Sequence, residues 1–474
     1  MKLNKIIIGL LMLGTVGMVG CKKDWLDVNQ DPETTSEVDP EFLIYAAQTE
    51  FSTNRTSEIG LSGAMWSQLW ASGQSAGVFL NPERYIFSIF TTGNTWRTHY
   101  PNSQKNLKFA IDIAQSSSPA KPNIAAQAKV MSALIYYTTT ILWGDIPYTE
   151  AITDVEAPKF DRQEDVLNGL LSDLDAAIAQ FDPQDPNVGN DHYFAGDVSK
   201  WIAFAKSLKF RILMLMVDKD PSKAAAITTM LSEGGMIEAG GDALFNYYAE
   251  SGHFNPNWNV LNTFAGGQNF FYFASEVTVE TMKSYNDPRL PIYFDAGPDT
   301  NTIVGVYPGK SGDYDTDALL SLNVIRPDAP ERVFTYTEQL FLEAEAEYRF
   351  GSVANADTKL REAIRSSMTY WGVASADIDA YLLTIQPLAT MTNEQATQLI
   401  AEQSWISLID KPTEAWTTWR RTEYPRLLLP DGAALTSFVR RLPYPPDELS
   451  ANRNAPVSPV GSTPLWFDEV TSNP

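Results

Sequence analysis

The stretch TNEQATQLIAEQSWISLIDKPTEAWTTWRRTEYP, residues 392–425, limits what this chain can fold into more than any other. Thr392 with Gln395 three residues on is a capping box, in which two orphan amide donors at a helix start are satisfied reciprocally. Leu399, Ile400, Trp405, Ile406, Leu408 and Ile409 then cover almost every face, which predicts a buried helix. Lys411-Pro412 stops it, because proline lacks the amide donor and restricts the residue before it. Thr413 is predicted to cap a second, shorter helix that carries Trp416 and Trp419 on one side. Arg420, Arg421 and Tyr424-Pro425 end the hairpin. Two helices, one turn and large aromatics between them form the packing unit of a helical repeat.

The same unit recurs. Leu107, Ala110, Ile111 and Ala114 form one apolar stripe, and Ile124, Ala128, Met131, Ile135 and Leu142 form its partner, ended by Gly144. Asp161 with Glu164 reads as a capping box for a helix lined by Leu167, Leu171, Leu174, Ile178 and Phe181. Trp201, Phe204, Leu208, Ile212 and Leu215 make its partner stripe. Thr335 and Glu338 open a helix with Leu340, Phe341, Ala344 and Tyr348, followed by one with Leu360, Ala363, Ile364, Met368 and Trp371. The expected fold class is therefore all-α, mainly helical, with four tetratricopeptide-like helix pairs, long irregular insertions and little β structure. Pro40 to Phe51 is a further helix. Residues 245–317 are an insertion of Asn, Gly and aromatics without helical period, with Asn286–Phe294 as a short strand or extended piece. A loop region this long is functional or disordered, and its aromatic content argues against disorder.

The chain opens with Lys2 and Lys5, an apolar run from Ile6 to Leu13 and small residues up to Cys21, the pattern of a secretory signal peptide. Cys21 is the single cysteine, so it forms no internal disulfide. Met18-Val19-Gly20-Cys21 resembles a bacterial lipobox, which makes Cys21 the expected lipidation site. The expected layout is a signal peptide at 1–20, a tether at 21–40 anchored by Trp25 and Leu26, and one helical domain at 41–474 holding the binding-loop insertion. Formal net charge is −23, and loss of Lys2 and Lys5 with the signal peptide takes it to −25. Such acidity repels nucleic acid and anionic membrane surfaces.

Several stretches in order resemble one family, the SusD/RagB-like outer-membrane lipoproteins of Bacteroidetes. They are Cys21 with its tether and WLDVNQDP (25–32), LWGDIPYTEA (142–151), WIAFAKSLKFRI (201–212), NDPRLPIYF (286–294), TEQLFLEAEAEYRFG (337–351), EAWTTWRRTEYP (414–425) and RRLPYPPDELSANRNA (440–455). The set spans the mature chain and is similar to the SusD-like branch. The resemblance implies a lipid-anchored protein of the outer membrane and cell surface. It also implies a TonB-dependent β-barrel partner of the SusC type, and capture of glycan rather than its cleavage.

A sugar site needs flat aromatic faces with amides and carboxylates nearby to pair hydroxyls. Trp66, Trp70 and Tyr85, among Gln68, Gln74, Asn81 and Asn94, are one candidate cluster. Tyr248, Trp258, Phe270, Phe271 and Tyr272, with Asn257, Gln268 and Asn269, are the second. Trp96 and Tyr100 read as packed elements. The sequence holds three histidines and no H-E-x-x-H, and no catalytic residue and no cofactor is assigned. Asp313, Asp315 and Asp317 begin like a calcium loop, but Ala318 and Val324 stand where glycine and glutamate are needed, so no metal is assigned either. Glu343, Glu345 and Glu347 read as a solvated helix surface, and Arg420, Arg421, Arg440 and Arg441 as partners of local acids. Capture of oligosaccharide leads; capture of peptide or another nutrient, a helical glycoside hydrolase and a structural scaffold are the alternatives. Replacing Cys21 by serine should move the protein from the membrane pellet to the soluble fraction of fractionated cells; retention in the pellet would contradict the lipid anchor.

Overall fold

In the computed structural model, residues 38–73, 77–185 and 189–468 are described. The signal peptide, Cys21 and most of the tether lie outside them. The first described helix, Pro40–Thr56, is longer than its sequence pattern suggested and buries Ile44, Ala47 and Phe51. The four pairs follow as Lys105–Ser116 with Pro122–Trp143, Gln163–Gln180 with Val198–Met216, Tyr336–Phe350 with Val353–Tyr370, and Asn393–Ser407 with Pro412–Thr422. In each pair the two helices pack against one another. The apolar stripes explain this: Leu107, Ala110 and Ala114 are buried on the first helix and almost every residue of Pro122–Trp143 on its partner. A helix buried on nearly all sides is the centre of a core. The described residues from Pro40 onward form one compact unit.

The helix ends show where local signals hold. Thr392 and Gln395 form the capping box. Thr335 accepts from the Glu338 amide, but the Glu338 carboxylate does not reciprocate and turns inward. The box read at Asp161 and Glu164 is not formed, and Arg162 precedes the helix instead. Asp161 accepts from the backbone of Tyr148 and Thr149 and pairs with Lys159, while Asp145 takes the Gln163 amide at 2.9 Å. Pro412, not Thr413, opens the second helix of the fourth pair, where its missing N–H costs nothing.

Strand is confined to short pieces: β1 (Trp70–Ser72), β2 (Ala243–Phe245), β3 (Tyr272–Ala274), β4 (Phe294–Asp295), β5 (Leu319–Leu320) and β6 (Glu331–Phe334). The first sheet runs β1-β3-β5-β4, antiparallel throughout, with Trp70 opposite Ala274 and Ser72 opposite Tyr272. The second pairs β2 with β6. The insertion is thus more regular than its composition implied. It holds the helices Pro256–Ala265 and Glu276–Ser284, and Asn286–Phe294 contributes the short helix Leu290–Tyr293 before β4. Pro256–Ala265 gave no apolar period because only Asn257 and Leu261 on it are buried.

Buried charges tie the pairs together. Glu338 of the third pair is bonded to Arg211 of the second and to Lys411, which precedes the last helix of the fourth. Burial raises the Glu338 carboxyl, but Arg211 and Lys411 outweigh it and hold it below its ordinary value. Arg55 of the first helix reaches Glu331 of β6 at 2.8 Å and Glu414 of the second helix of the fourth pair at 2.9 Å. Arg421 pairs with Glu345, and Glu343 with Lys359, so that helix face is not solvated. Arg440 pairs with Glu423 and Asp468 as read from sequence. Arg420 and Arg441 instead donate to the carbonyls of Ile141 and Trp143, at the C-terminal end of the central helix, where cations complement the dipole. Glu338→Gln would leave two buried cations undercompensated and should cost about 3–5 kcal/mol of unfolding free energy in urea titration; a loss below about 1 kcal/mol would contradict the role given to this carboxylate.

Candidate functional site

The two aromatic clusters separate sharply once placed. Trp66 is buried against Trp416, with ring centroids 4.8 Å apart, and donates its indole N–H to Pro82 at 2.9 Å. Trp70 donates to the carbonyl of Ile409 at 3.1 Å and packs on Tyr272. Tyr85 and Tyr272 are equally enclosed. These four belong to the core, because each helix end, strand or turn that carries them is roofed by another element. Trp96 and Tyr100 are also largely buried, as read from sequence.

The polar candidates divide in the same way. Asn257 is buried and donates to the carbonyl of Thr56 at 2.8 Å, fixing its helix to the first helix of the fold. Asn269 is consumed in its own loop. Its amide donates to the carbonyls of Tyr272 and Leu320, both at 2.8 Å, and its oxygen accepts from the amides of Phe271 and Tyr272. Both asparagines position the chain, Asn269 with its whole amide and Asn257 with its amide nitrogen.

What remains is a surface on the insertion. Phe270 and Phe271 are half-buried and Gln268 is exposed. The Phe270 ring packs on Tyr314 with centroids 4.7 Å apart and planes at 48°. Trp258, half-buried, packs on Phe254 at 4.6 Å, and its ring lies 3.8 Å from where a Cβ on Gly267 would stand. Tyr248 is 57% exposed and faces His253, next to Phe254 in the chain. The Trp258 ring therefore lies beside Gly267, the residue before Gln268, and the Phe270–Tyr314 pair follows within three residues of that glycine along the chain.

Tyr314 and Phe254 were not singled out in the sequence. The signal for Tyr314 was the aspartate run around it. Asp317 accepts from the Asp313 amide at 2.7 Å and Asp313 from the Asp315 amide at 3.0 Å, so carboxylates shape the turn that presents the ring. No group of three or more His, Cys, Asp or Glu among the described residues is placed to hold a metal.

The platform is braced from beneath. The Gly73 amide donates to the Phe271 carbonyl at 3.0 Å, and a Cβ at Gly73 would stand 2.3 Å from the Phe270 carbonyl oxygen, so only glycine allows this approach. Glu83 is buried between β1 and the loop of Gly309, accepting from both backbones. Burial pushes its carboxyl up to about 8, against the downward pull of the Gly309 and Ser72 amides and of Arg84. The stability this neutral carboxyl supports is complete below its ordinary value of 4.5 and is lost as pH rises toward 8. Glu83→Gln should therefore leave the melting temperature near wild type at pH 4 and raise it relative to wild type at pH 8. A difference that does not grow with pH would refute the assignment.

Among the described residues no helix is long and apolar enough to cross a membrane. A family model, SusD-like, described as starch-binding associating with outer membrane, matches residues 32–445. No curated protein matches the chain. Similar solved structures include a chitin-binding protein, 22% identical with a TM-score of 0.77, covering 91% of this chain and 100% of the other. A chitin-binding SusD homologue from Flavobacterium johnsoniae is 20% identical with a TM-score of 0.72, covering 90% of this chain and 99% of its own. A SusD homologue from Bacteroides uniformis is 19% identical with a TM-score of 0.74, again covering 90% and 99%. At such identities the likeness is one of fold, whereas the family model spans most of the sequence, and on that match the chain belongs to the SusD-like family.

Proposed function

We propose that this chain is a cell-surface lipoprotein that captures oligosaccharide and passes it, uncleaved, to a SusC-like TonB-dependent transporter. One observation carries the reading: a partly exposed aromatic corner, Phe270 with Tyr314 and Trp258 with Phe254, held rigid by hydrogen bonds from residues that do not themselves face a ligand. Ring faces of this kind take up the C–H surfaces of sugars, and preorganisation lowers the entropic cost of binding. The family's description, starch binding and association with the outer membrane, supports the same ligand class and location. The lipid on Cys21 would supply the attachment.

Binding rather than hydrolysis is supported by the family's description, which speaks of binding. Glu83, buried beneath this surface, is bonded to backbone amides and cannot reach a sugar. On a glycan array the protein should retain at least one oligosaccharide series. Phe270→Ala and Tyr314→Ala should each weaken that binding about tenfold, roughly 1.4 kcal/mol, by calorimetry. Release of reducing ends from the bound glycan would replace this reading with an enzyme, and retention of peptides alone would replace the ligand class.

A further inference from the structure

The helix Ile89–Arg97 carries a glycine in its middle, Gly93. Glycine inside a helix costs about 0.5–1 kcal/mol relative to alanine, so its presence needs a cause. Elsewhere in this fold the cause is close packing. A Cβ at Gly60 would lie 2.2 Å from the Arg55 carbonyl oxygen, one at Gly63 3.1 Å from Pro412, and one at Gly169 2.5 Å from the Tyr148 ring. At Gly93 a Cβ would meet nothing within 4 Å, and its φ is not in the left-handed region. Neither packing nor backbone conformation accounts for it.

What Gly93 does is leave a cleft open. It lines a cavity of about 370 Å³ together with Trp96, Tyr100 and Arg97 of the same helical stretch. That is within the lower part of the range for small-ligand sites, about 300–1,000 Å³. Trp96, 8% exposed, is fixed edge-on to Trp143 at 5.1 Å and lies nearly parallel to Phe160, with planes at 18°. Tyr100 is fixed by donating to the Pro147 carbonyl at 2.7 Å. Pro147, Pro158 and Pro445 supply stiff walls. Asp447 and Glu448, on the segment Pro446–Ala451, line the cleft together with Arg97; Glu448 also accepts from Asn452 at 2.9 Å, and Arg97 donates to Asn94 at 3.3 Å. None of these residues belongs to the Phe270–Tyr314 corner.

We propose that this cleft is a second saccharide site, sized for one or two pyranose rings. Its indole edge and glycine backbone would meet the ring, and two carboxylates with one guanidinium would pair the hydroxyls. With acids outnumbering the cation, it takes neutral or amino sugars and rejects uronic acids. The proposal rests on the glycan-binding reading above, but uses different residues.

The test uses the mature protein labelled with 5-fluorotryptophan, in which the Trp96 resonance is identified by its loss in Trp96→Phe. The probes are glucose, N-acetylglucosamine, glucosamine, cellobiose and glucuronic acid. At least one of the first four should shift the Trp96 resonance, and glucuronic acid should not. Gly93→Leu, which fills the cleft with a better helix former, should raise the half-saturating concentration at least tenfold while keeping the wild-type melting temperature. Should Gly93→Leu fold poorly, the paired change Asp447→Ala, Glu448→Ala should weaken the same response about tenfold. Phe270→Ala should leave it unchanged. A Trp96 resonance that ignores every probe while the array oligosaccharide still binds through Phe270 overturns the second site alone. A shift that survives the cleft variants overturns it too, and absence of any glycan binding to wild type defeats both readings.

Discussion

One carboxylate sets the register of this fold. Glu338 is shared between Arg211 and Lys411, so a single buried anion joins the second, third and fourth helix pairs. Apolar helix faces alone tolerate sliding and rotation, because hydrophobic contact has no direction. A buried ion triad has direction, and it is satisfied in only one arrangement. Its net contribution to stability is small once desolvation is counted, but breaking it is costly. Arg55 repeats the device between the first helix, β6 and the second helix of the fourth pair. With long insertions separating the pairs, such fixed points hold as one body what sequence proximity does not.

The same division governs the aromatic surface. Asn269, Asp313, Asp317 and Gly73 use their hydrogen bonds and their size to shape loops, while Phe270 and Tyr314 present rings. A ligand meeting this corner therefore meets groups whose positions are already determined by backbone contacts several residues away. Glu83 extends the bracing into the β1 edge, which makes the corner's support sensitive to proton concentration.

Much of the body could be read from the residues, because 3.6-residue periodicity sustained over two helices in succession leaves few alternatives. The four helix pairs are of this kind, and the capping box at Thr392 marks one of their starts. Asp161 misled because its carboxylate had a better offer from the Tyr148–Thr149 turn, which pattern alone cannot reveal. The glutamates of Tyr336–Phe350 looked solvated because their cations, Arg421 and Lys359, lie on other helices. At the candidate site composition found the right neighbourhood but not the exposure. Trp66 and Trp258 are the same residue type among similar amides. Only the roof that Trp416 places over Trp66 separates them.

The Gly73 contact has an evolutionary reading. Because the strand end grips the loop through the main chain of residues 270 and 271, this fastening does not depend on which ring stands at 270. Phenylalanine could become tryptophan, tyrosine or even histidine there without disturbing it. If the corner meets ligand as proposed, a lineage could thus exchange that ring on a mount that never has to be rebuilt.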